Sequence, residues 1–178
     1  MTHTNKANDG LRLEAQAAKF EDQEDQKGPL MQLTLKGDYA VRVMVDLSSQ
    51  PRNATVRTEE LGHRAGIPHA YLSKIIQALA HAGLVRTQRG TRGGVALLEE
   101  PRTITLRQVI EAVEGPIYLN RCLIRPGVCP RDSFCPVHPV WARIQAIVTQ
   151  ELDAVRMRDL ADASRTITPT RKREASPC

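Results

Sequence analysis

Three cysteines and one histidine lie close together in a single stretch of the chain, and they are the residues best suited to chemistry. They are Cys122, Cys129, Cys135 and His138, with six and then five residues between successive cysteines. Thiolates ligate zinc and iron-sulfur clusters, and an imidazole can replace one of them. Intervals of this length suit a loop wrapped around a cluster better than the CxxC knuckles of structural zinc. The stretch therefore predicts a metal or cluster site.

The same cysteines leave two other kinds of chemistry open. They could react directly with oxidants as thiols, or they could hold structural zinc, and either would serve a regulatory protein. A nucleophilic Cys-His pair would instead indicate an enzyme. Since no oxyanion element or substrate pocket is suggested beside the cysteines, we expect no enzymatic activity.

Charge distribution predicts a polyanionic partner. The chain has 178 residues and a net charge of +5, and residues 55–95 hold six Arg or Lys against two Glu. A local positive surplus of this kind favours nucleic acid. No run of about 18 apolar residues and no apolar leader occurs, so we expect a cytoplasmic protein without a membrane partner.

Residues 31–100 carry the pattern of a winged helix-turn-helix domain. Apolar residues recur at helical spacing over 36–50, which predicts a first helix. Thr58 suits the N-cap of a second helix that Gly66 would end, and Pro68 suits the first turn of a third. A hairpin with a tip rich in glycine and arginine, LVRTQRGTRGGVALL, follows as the wing. The predicted fold class is mainly α, with a small β-hairpin.

Residues 101–163 are predicted to hold the cysteine loop between two helices. A capping box of Thr105 and Gln108 opens the helix before the loop, and Gly115 ends it. After the loop, apolar residues at spacings of three and four predict a long helix whose seam pairs with a second copy. These residues are Trp141, Ile144, Val148, Leu152 and Val155. By composition, residues 1–30 and 164–178 are predicted to be disordered.

A DNA surface is predicted from the third helix and the wing. A recognition helix presents its N-terminal residues to base edges in the major groove, while arginines of a wing can reach phosphates or a narrow minor groove. The predicted DNA-binding residues are His69, Ala70, Tyr71, Ser73, Lys74, Arg89 and Arg92.

Several stretches together resemble one known family. MQLTLKGDYAVRVMVDL, GIPHAYLSKIIQALAHAGLV, RGTRGGVALL and ITLRQVIEAVEG, followed by the cysteine loop, are similar to the Rrf family of bacterial winged-helix regulators. The resemblance covers residues 31–163. It implies a homodimer, crossed through long C-terminal helices, that binds a palindromic operator in double-stranded DNA. It also implies an iron-sulfur cluster on Cys122, Cys129 and Cys135.

The fourth cluster ligand divides the subgroups of that family. NsrR-like members complete a 4Fe-4S cluster with an aspartate in the first helix of the partner subunit, which matches Asp38. IscR-like members hold a 2Fe-2S cluster with a histidine after the third cysteine, which matches His138. A redox-sensing relative uses an acid and a histidine that match Asp38 and His63. Because IscR-like members carry no acid at the position of Asp38, the resemblance favours 4Fe-4S over 2Fe-2S.

Two departures from the family pattern bear on the subgroup. Val95 stands where an aromatic residue commonly follows the paired glycines of the wing, and the first cysteine interval is one residue longer than in IscR-like members.

The predicted function is a cluster-containing regulator, a repressor, that senses nitric oxide, redox state or iron-sulfur status by modification or loss of the cluster. The alternative is a winged-helix regulator whose cysteines sense oxidants directly or bind structural zinc.

Overall fold

A computed structural model describes residues 34–90 and 93–167 of the chain. The predicted extension at 1–30 and most of the predicted tail lie outside these residues, as does Arg92 in the wing. Six helices and two strands follow one another along the described residues, with a short 3-10 turn at Arg121–Leu123 in the cysteine loop. They are α1 (Leu35–Ser48), α2 (Thr58–Ala65), α3 (His69–His81), β1 (Val85–Gln88), β2 (Gly94–Leu97), α4 (Leu106–Glu114), α5 (His138–Ala154) and α6 (Met157–Thr166).

The helix-turn-helix is confirmed, with one change at its start. Thr58 is not the N-cap of α2 but its first residue, and Arg57 occupies the cap position without a side-chain cap bond. The reason lies just before it, since Val56 exchanges two backbone hydrogen bonds of 2.8 Å with Val95 and so fixes the chain as extended up to Arg57. Gly66 ends α2 at φ +67°, in the left-handed region that glycine adopts most readily.

The wing is an antiparallel hairpin of β1 and β2, with Val85 opposite Leu97 and Gln88 opposite Gly94. A Cβ at Gly94 would lie 2.2 Å from the carbonyl oxygen of Val56, so this close approach requires glycine. Val95, where an aromatic residue was expected, is buried and belongs to the main core. The wing is thereby attached to the core by an aliphatic side chain.

The second half of the chain differs from the prediction after α5. The capping box of Thr105 and Gln108 and the helix end at Gly115 are confirmed. Val155 lies outside α5 in extended backbone, because its carbonyl accepts the N–H of Leu106 at 2.9 Å. The sequence pattern did not predict α6, which continues to Thr166 and thus runs past the predicted start of the disordered tail at residue 164.

Helix α6 returns the chain to the core of the winged helix-turn-helix. Met157 and Ala161 are fully buried, and α6 packs against α1. Helix α5, by contrast, has no buried residue along its 17 positions. No helix within 34–90 or 93–167 is both long and apolar enough to cross a lipid bilayer.

Candidate DNA-binding face and cysteine loop

Helix α3 presents an exposed N-terminal face. His69, Ala70, Tyr71 and Lys74 are exposed, while Ser73 is half-buried and donates its hydroxyl proton to the carbonyl of His69 at 3.2 Å. The opposite face of α3 is buried in the core through Leu72, Ile75, Ile76 and Leu79. This separation leaves the predicted recognition residues accessible on a helix that the core holds in place. In the wing, Arg89 is exposed.

Close packing sets the angle between α2 and α3. A Cβ at Gly62 would lie 3.0 Å from the side chain of Leu72, so α3 approaches the backbone of α2 closely. The N–H of Ile67 donates to the carbonyl of Gly62 at 2.9 Å and tightens the turn between the two helices. The recognition helix is thus fixed relative to the rest of the domain.

Helix α1 contacts the recognition helix through an aromatic pair. The rings of Tyr39 and Tyr71 meet edge to face with centroids 6.1 Å apart, and the Arg42 guanidinium lies 5.7 Å from the centroid of Tyr39. Arg42 also forms an ion pair of 2.7 Å with Asp38, both side chains being half exposed. A continuous set of contacts therefore joins Asp38 to the exposed N-terminal face of α3.

The start of α1 is tied to the end of α4, where the chain leaves for the cysteine loop. The Thr34 hydroxyl donates to the Glu114 carboxylate, and the Lys36 ammonium donates to the carbonyl of Val113. Gly37 is buried beneath Glu114, whose Oε1 would lie 3.1 Å from a Cβ at that position. The first turn of α1, which carries Asp38, is thus held beside the point where the chain enters the cysteine loop.

Turns and side-chain contacts hold the cysteine loop itself. The three cysteines are half-buried and free of disulfides. The Cys129 carbonyl accepts the N–H of Asp132, and the Cys135 carbonyl accepts the N–H of His138, each at 3.2 Å. Before the loop, the N–H of Leu119 donates to Gln145 Oε1 of α5 at 3.1 Å. The loop is therefore attached to the helix that follows it.

An open cavity of about 400 Å³ lies inside the loop, and Cys122, Asp132 and His138 are among its lining residues. His138 Nδ1 is buried and has no hydrogen-bond partner among the described residues. Burial raises the pKa of the Cys122 thiol, and the nearby charge of Cys129 raises it further, with smaller contributions from Cys135 and Asp132. The cavity lining thus includes Cys122, whose thiol has a raised pKa, and His138, whose buried Nδ1 has no partner among the described residues.

The donor chemistry suits a cluster, but the ligands are not assembled in the single chain. Within residues 34–90 and 93–167, no three side chains of His, Cys, Asp or Glu converge closely enough to hold a metal ion. Three free thiols and an orphaned imidazole nitrogen on one loop remain the donor set that soft metals and iron-sulfur clusters select.

Residues 33–163 match the family model of Rrf2, described as an iron-dependent transcriptional regulator. The chain belongs to the Rrf2 family. The HTH-type transcriptional regulator IscR of Aliivibrio salmonicida is 32% identical over 130 residues, which cover 73% of this chain and 77% of the relative. IscR of Vibrio vulnificus strain YJ016 is 31% identical over 137 residues, covering 77% and 81%.

Solved structures of two Rrf2 proteins are similar in fold. CymR, titled the global cysteine regulator of B. subtilis, is 28% identical with a TM-score of 0.61, covering 75% of this chain and 98% of CymR. IscR of T. potens is 27% identical with a TM-score of 0.59, covering 79% and 94%. The chain is accordingly a winged-helix transcriptional regulator and not an enzyme.

Rrf2 membership leaves the individual ligands and DNA contacts as predictions. Of the candidates for the fourth ligand, His138 lies at the cavity of its own loop, whereas Asp38 is on α1 and paired with Arg42. His63 is exposed on α2. The sequence pattern missed Tyr39 and Arg42, because a contact between helices leaves no signal in residue spacing.

Proposed function

We propose that this Rrf2 protein is an iron-sulfur repressor that changes its affinity for an operator when its cluster is modified or lost. The observation that carries the proposal is a single loop with three free, half-buried thiols, of which Cys122 lines a cavity together with His138, whose buried Nδ1 has no partner among the described residues. Cys122, Cys129 and Cys135 would hold the cluster. When bound, a cluster supplies iron that reacts with nitric oxide or oxidants, and hence a chemical signal.

The fourth ligand decides the cluster type, and 4Fe-4S with Asp38 of the partner subunit is preferred to 2Fe-2S with His138. Asp38 is half exposed on the first turn of α1, so a second subunit can reach it. Its pairing with Arg42 satisfies the carboxylate in the free chain and is weak enough at a half-exposed site to be exchanged. His138 is the alternative ligand, since it lines the cavity beside Cys122 and its buried Nδ1 has no partner among the described residues.

A homodimer formed through α5 is the second part of the proposal. Of the seam predicted from the sequence, Ile144 is exposed, whereas Trp141, Val148 and Leu152 are half-buried. The exposed apolar residues of α5 are instead Val140, Ile144 and Ile147, which recur at helical spacing and are 37%, 38% and 54% exposed. An amphipathic helix of 17 residues with no buried position requires a partner surface. A second copy supplies that surface with the same apolar seam, and two recognition helices related by a two-fold axis match a palindromic operator.

The chain's own contacts explain how a change at the loop would reach DNA. Asp38 engages Arg42, Arg42 lies over Tyr39, and Tyr39 packs against Tyr71 on the recognition helix. A change in the pairing of Asp38 alters what holds Arg42 and, through it, the aromatic pair. We expect the orientation of Tyr71, and with it the fit of α3 to the major groove, to follow that pairing.

The test of the switch is a comparison of operator affinity before and after cluster loss. Protein purified without oxygen is titrated with nitric oxide, and fluorescence anisotropy of a labelled palindromic operator is followed at fixed salt concentration. We expect the two forms to differ in operator affinity by roughly 5- to 150-fold, the usual range of coupling between two sites. Equal affinities of cluster-bound, nitrosylated and cluster-free protein would refute the switch.

Removal of either of two basic groups should weaken DNA binding without affecting the cluster. Lys74→Ala and Arg89→Ala each remove one positive charge from an exposed position, in α3 and in the wing respectively. Each is expected to lower operator affinity by roughly 3- to 10-fold, and each should also reduce the slope of log affinity against log salt concentration by about 1. Arg102→Ala, in the exposed turn before α4, removes the same charge and serves as the control. Unchanged affinity in both variants would place the DNA face elsewhere.

Direct sensing by thiols is the alternative proposal, and the CymR likeness is its support. A sensor thiol reacts as its thiolate, so sensor cysteines have lowered pKa values. The pKa of Cys122 is raised by burial and by the neighbouring Cys129. The direction of this shift argues against Cys122 as a directly reacting sensor thiol in the cluster-free protein.

The raised pKa predicts slow alkylation of Cys122 in the cluster-free protein. Because only the thiolate reacts, Cys122 should be modified by iodoacetamide more slowly in the folded protein than in the urea-unfolded protein at pH 8. The difference should shrink as the pH rises above the folded pKa, where the thiolate forms in both states. Peptide mass spectrometry measures the rate at this site. Faster alkylation in the folded state would instead favour the thiol sensor.

A further inference from the structure

We propose that Asp132 is a positioning residue that closes the cysteine loop into a ring around Cys129 and so presents its thiol to a cluster. The inference rests on the proposed function and names a residue outside the predicted ligand set. Asp132 lies midway between Cys129 and Cys135 in the sequence.

Asp132 bonds to the chain on both sides of Cys129. Its Oδ2 accepts the N–H of Gly127 at 2.6 Å, and its own N–H donates to the carbonyl of Cys129 at 3.2 Å. The first bond is charge-assisted, which makes it stronger than a bond between neutral groups. Together the two bonds close the chain from Gly127 to Asp132 around the cysteine between them.

Gly127 is shaped for this contact. Its φ of +82° lies in the left-handed region, and no atom lies within 4 Å of the position of an added Cβ. Steric space therefore does not require glycine here, but the backbone conformation does. That conformation presents the Gly127 N–H to the Asp132 carboxylate, so the turn and the carboxylate form one unit.

The same carboxylate lines the cavity beside Cys122 and His138. A loop of this length without such bonds would sample many conformations, and ordering the loop before ligand binding lowers the entropy cost of binding. By linking the interval before Cys129 to the interval after it, Asp132 restricts where Cys129 can lie relative to Cys122. Its contribution is to ligand geometry, since its Oδ2 is engaged with Gly127.

Three variants separate the bond from the charge. Asp132→Ala removes the acceptor and the charge, Asp132→Asn keeps an acceptor oxygen without the charge, and Ser133→Ala is the matched control because Ser133 is exposed and lines the same cavity. Two measurements are made on each. One is the exchange rate of the Gly127 amide proton in the cluster-free protein by nuclear magnetic resonance. The other is the rate at which a chelator bleaches the visible absorbance of the cluster.

We expect Asp132→Ala to exchange the Gly127 proton several-fold faster and to lose its cluster roughly tenfold faster, as for removal of a charge-assisted hydrogen bond. Asp132→Asn should restore both rates in part, because it keeps an acceptor oxygen for Gly127 without the charge, and Ser133→Ala should change neither. Unchanged rates in Asp132→Ala, or an Asn variant as fast as Ala, would overturn the positioning role. If the wild-type protein carries no cluster, the proposed function fails, while the Gly127 exchange rates alone still decide whether the ring exists.

Discussion

The Cys129→Ala protein is expected to be colourless after purification without oxygen and to contain almost no iron. Cys129 is one of only three thiols that the loop offers, and its neighbours Gly127 and Asp132 bond to each other across it. The substitution removes one of three thiolate ligands, and the described residues of the loop include no fourth thiol that could take its place. Operator affinity should become fixed at the cluster-free value and should no longer respond to nitric oxide.

Cys178→Ala is the matched control for this variant, because it removes a thiol that lies outside the loop sequence. It should retain the iron content, the absorbance and the response of the wild type. Iron analysis, visible absorbance and operator anisotropy are measured on both proteins. A Cys129→Ala protein that keeps its iron and its response would refute the role of the loop as the sensor.

Ile147→Asp is expected to abolish the dimer and, with it, tight operator binding. Ile147 is 54% exposed on α5, in line with Val140 and Ile144. Burying an unpaired carboxylate in an apolar interface costs several kcal/mol. Association of the two subunits is therefore disfavoured by that amount. Operator affinity should fall by at least about 100-fold, since a monomer engages one half-site.

Ala142→Asp adds the same charge to α5 and serves as the control. Ala142 is exposed and lies about 140° around the helix from Ile147. It should leave both the dimer and the operator affinity close to those of the wild type. Sedimentation velocity gives the oligomeric state, and circular dichroism at 222 nm checks that both variants fold. A dimeric Ile147→Asp protein would place the pairing surface on another element.

Elements with local signals were predicted well from the sequence. The capping box of Thr105 and Gln108 and the left-handed Gly66 involve residues within a few positions of one another, so their chemistry is visible in the sequence. The aliphatic stripe of α3 was also correct, because one face of a helix produces a regular period.

Elements decided by distant contacts were not predicted. Helix α6 reads MRDLADASRT, which is too polar to suggest a packed helix, yet Met157 and Ala161 are buried because α1 supplies the surface. Helix α2 starts one residue earlier than predicted, because the bridge between Val56 and Val95 of the wing fixes the chain just before it. Helix α5 ended before Val155 because α4 takes up the carbonyl of that residue. In each case another element overrides the local pattern.

The candidate site shows the same division. Residue types and spacing identified the cysteines and His138, while the cavity, the unpartnered Nδ1 and the bond between Asp132 and Gly127 depend on how the loop is folded. The ion pair of Asp38 with Arg42 is local to α1, at a spacing of four residues, but its connection to Tyr71 passes between two helices. Spacing alone gives no indication of that connection.

Iron and sulfide analysis of the protein purified without oxygen, with its visible absorbance, tests the central claim most directly. We predict a brown protein with about four iron and four sulfide per subunit if Asp38 of the partner subunit completes the site, or about two of each if His138 does. In either case nitric oxide should change the absorbance and the operator affinity together. A colourless protein without sulfide, whether it contains zinc or no metal, would contradict the account.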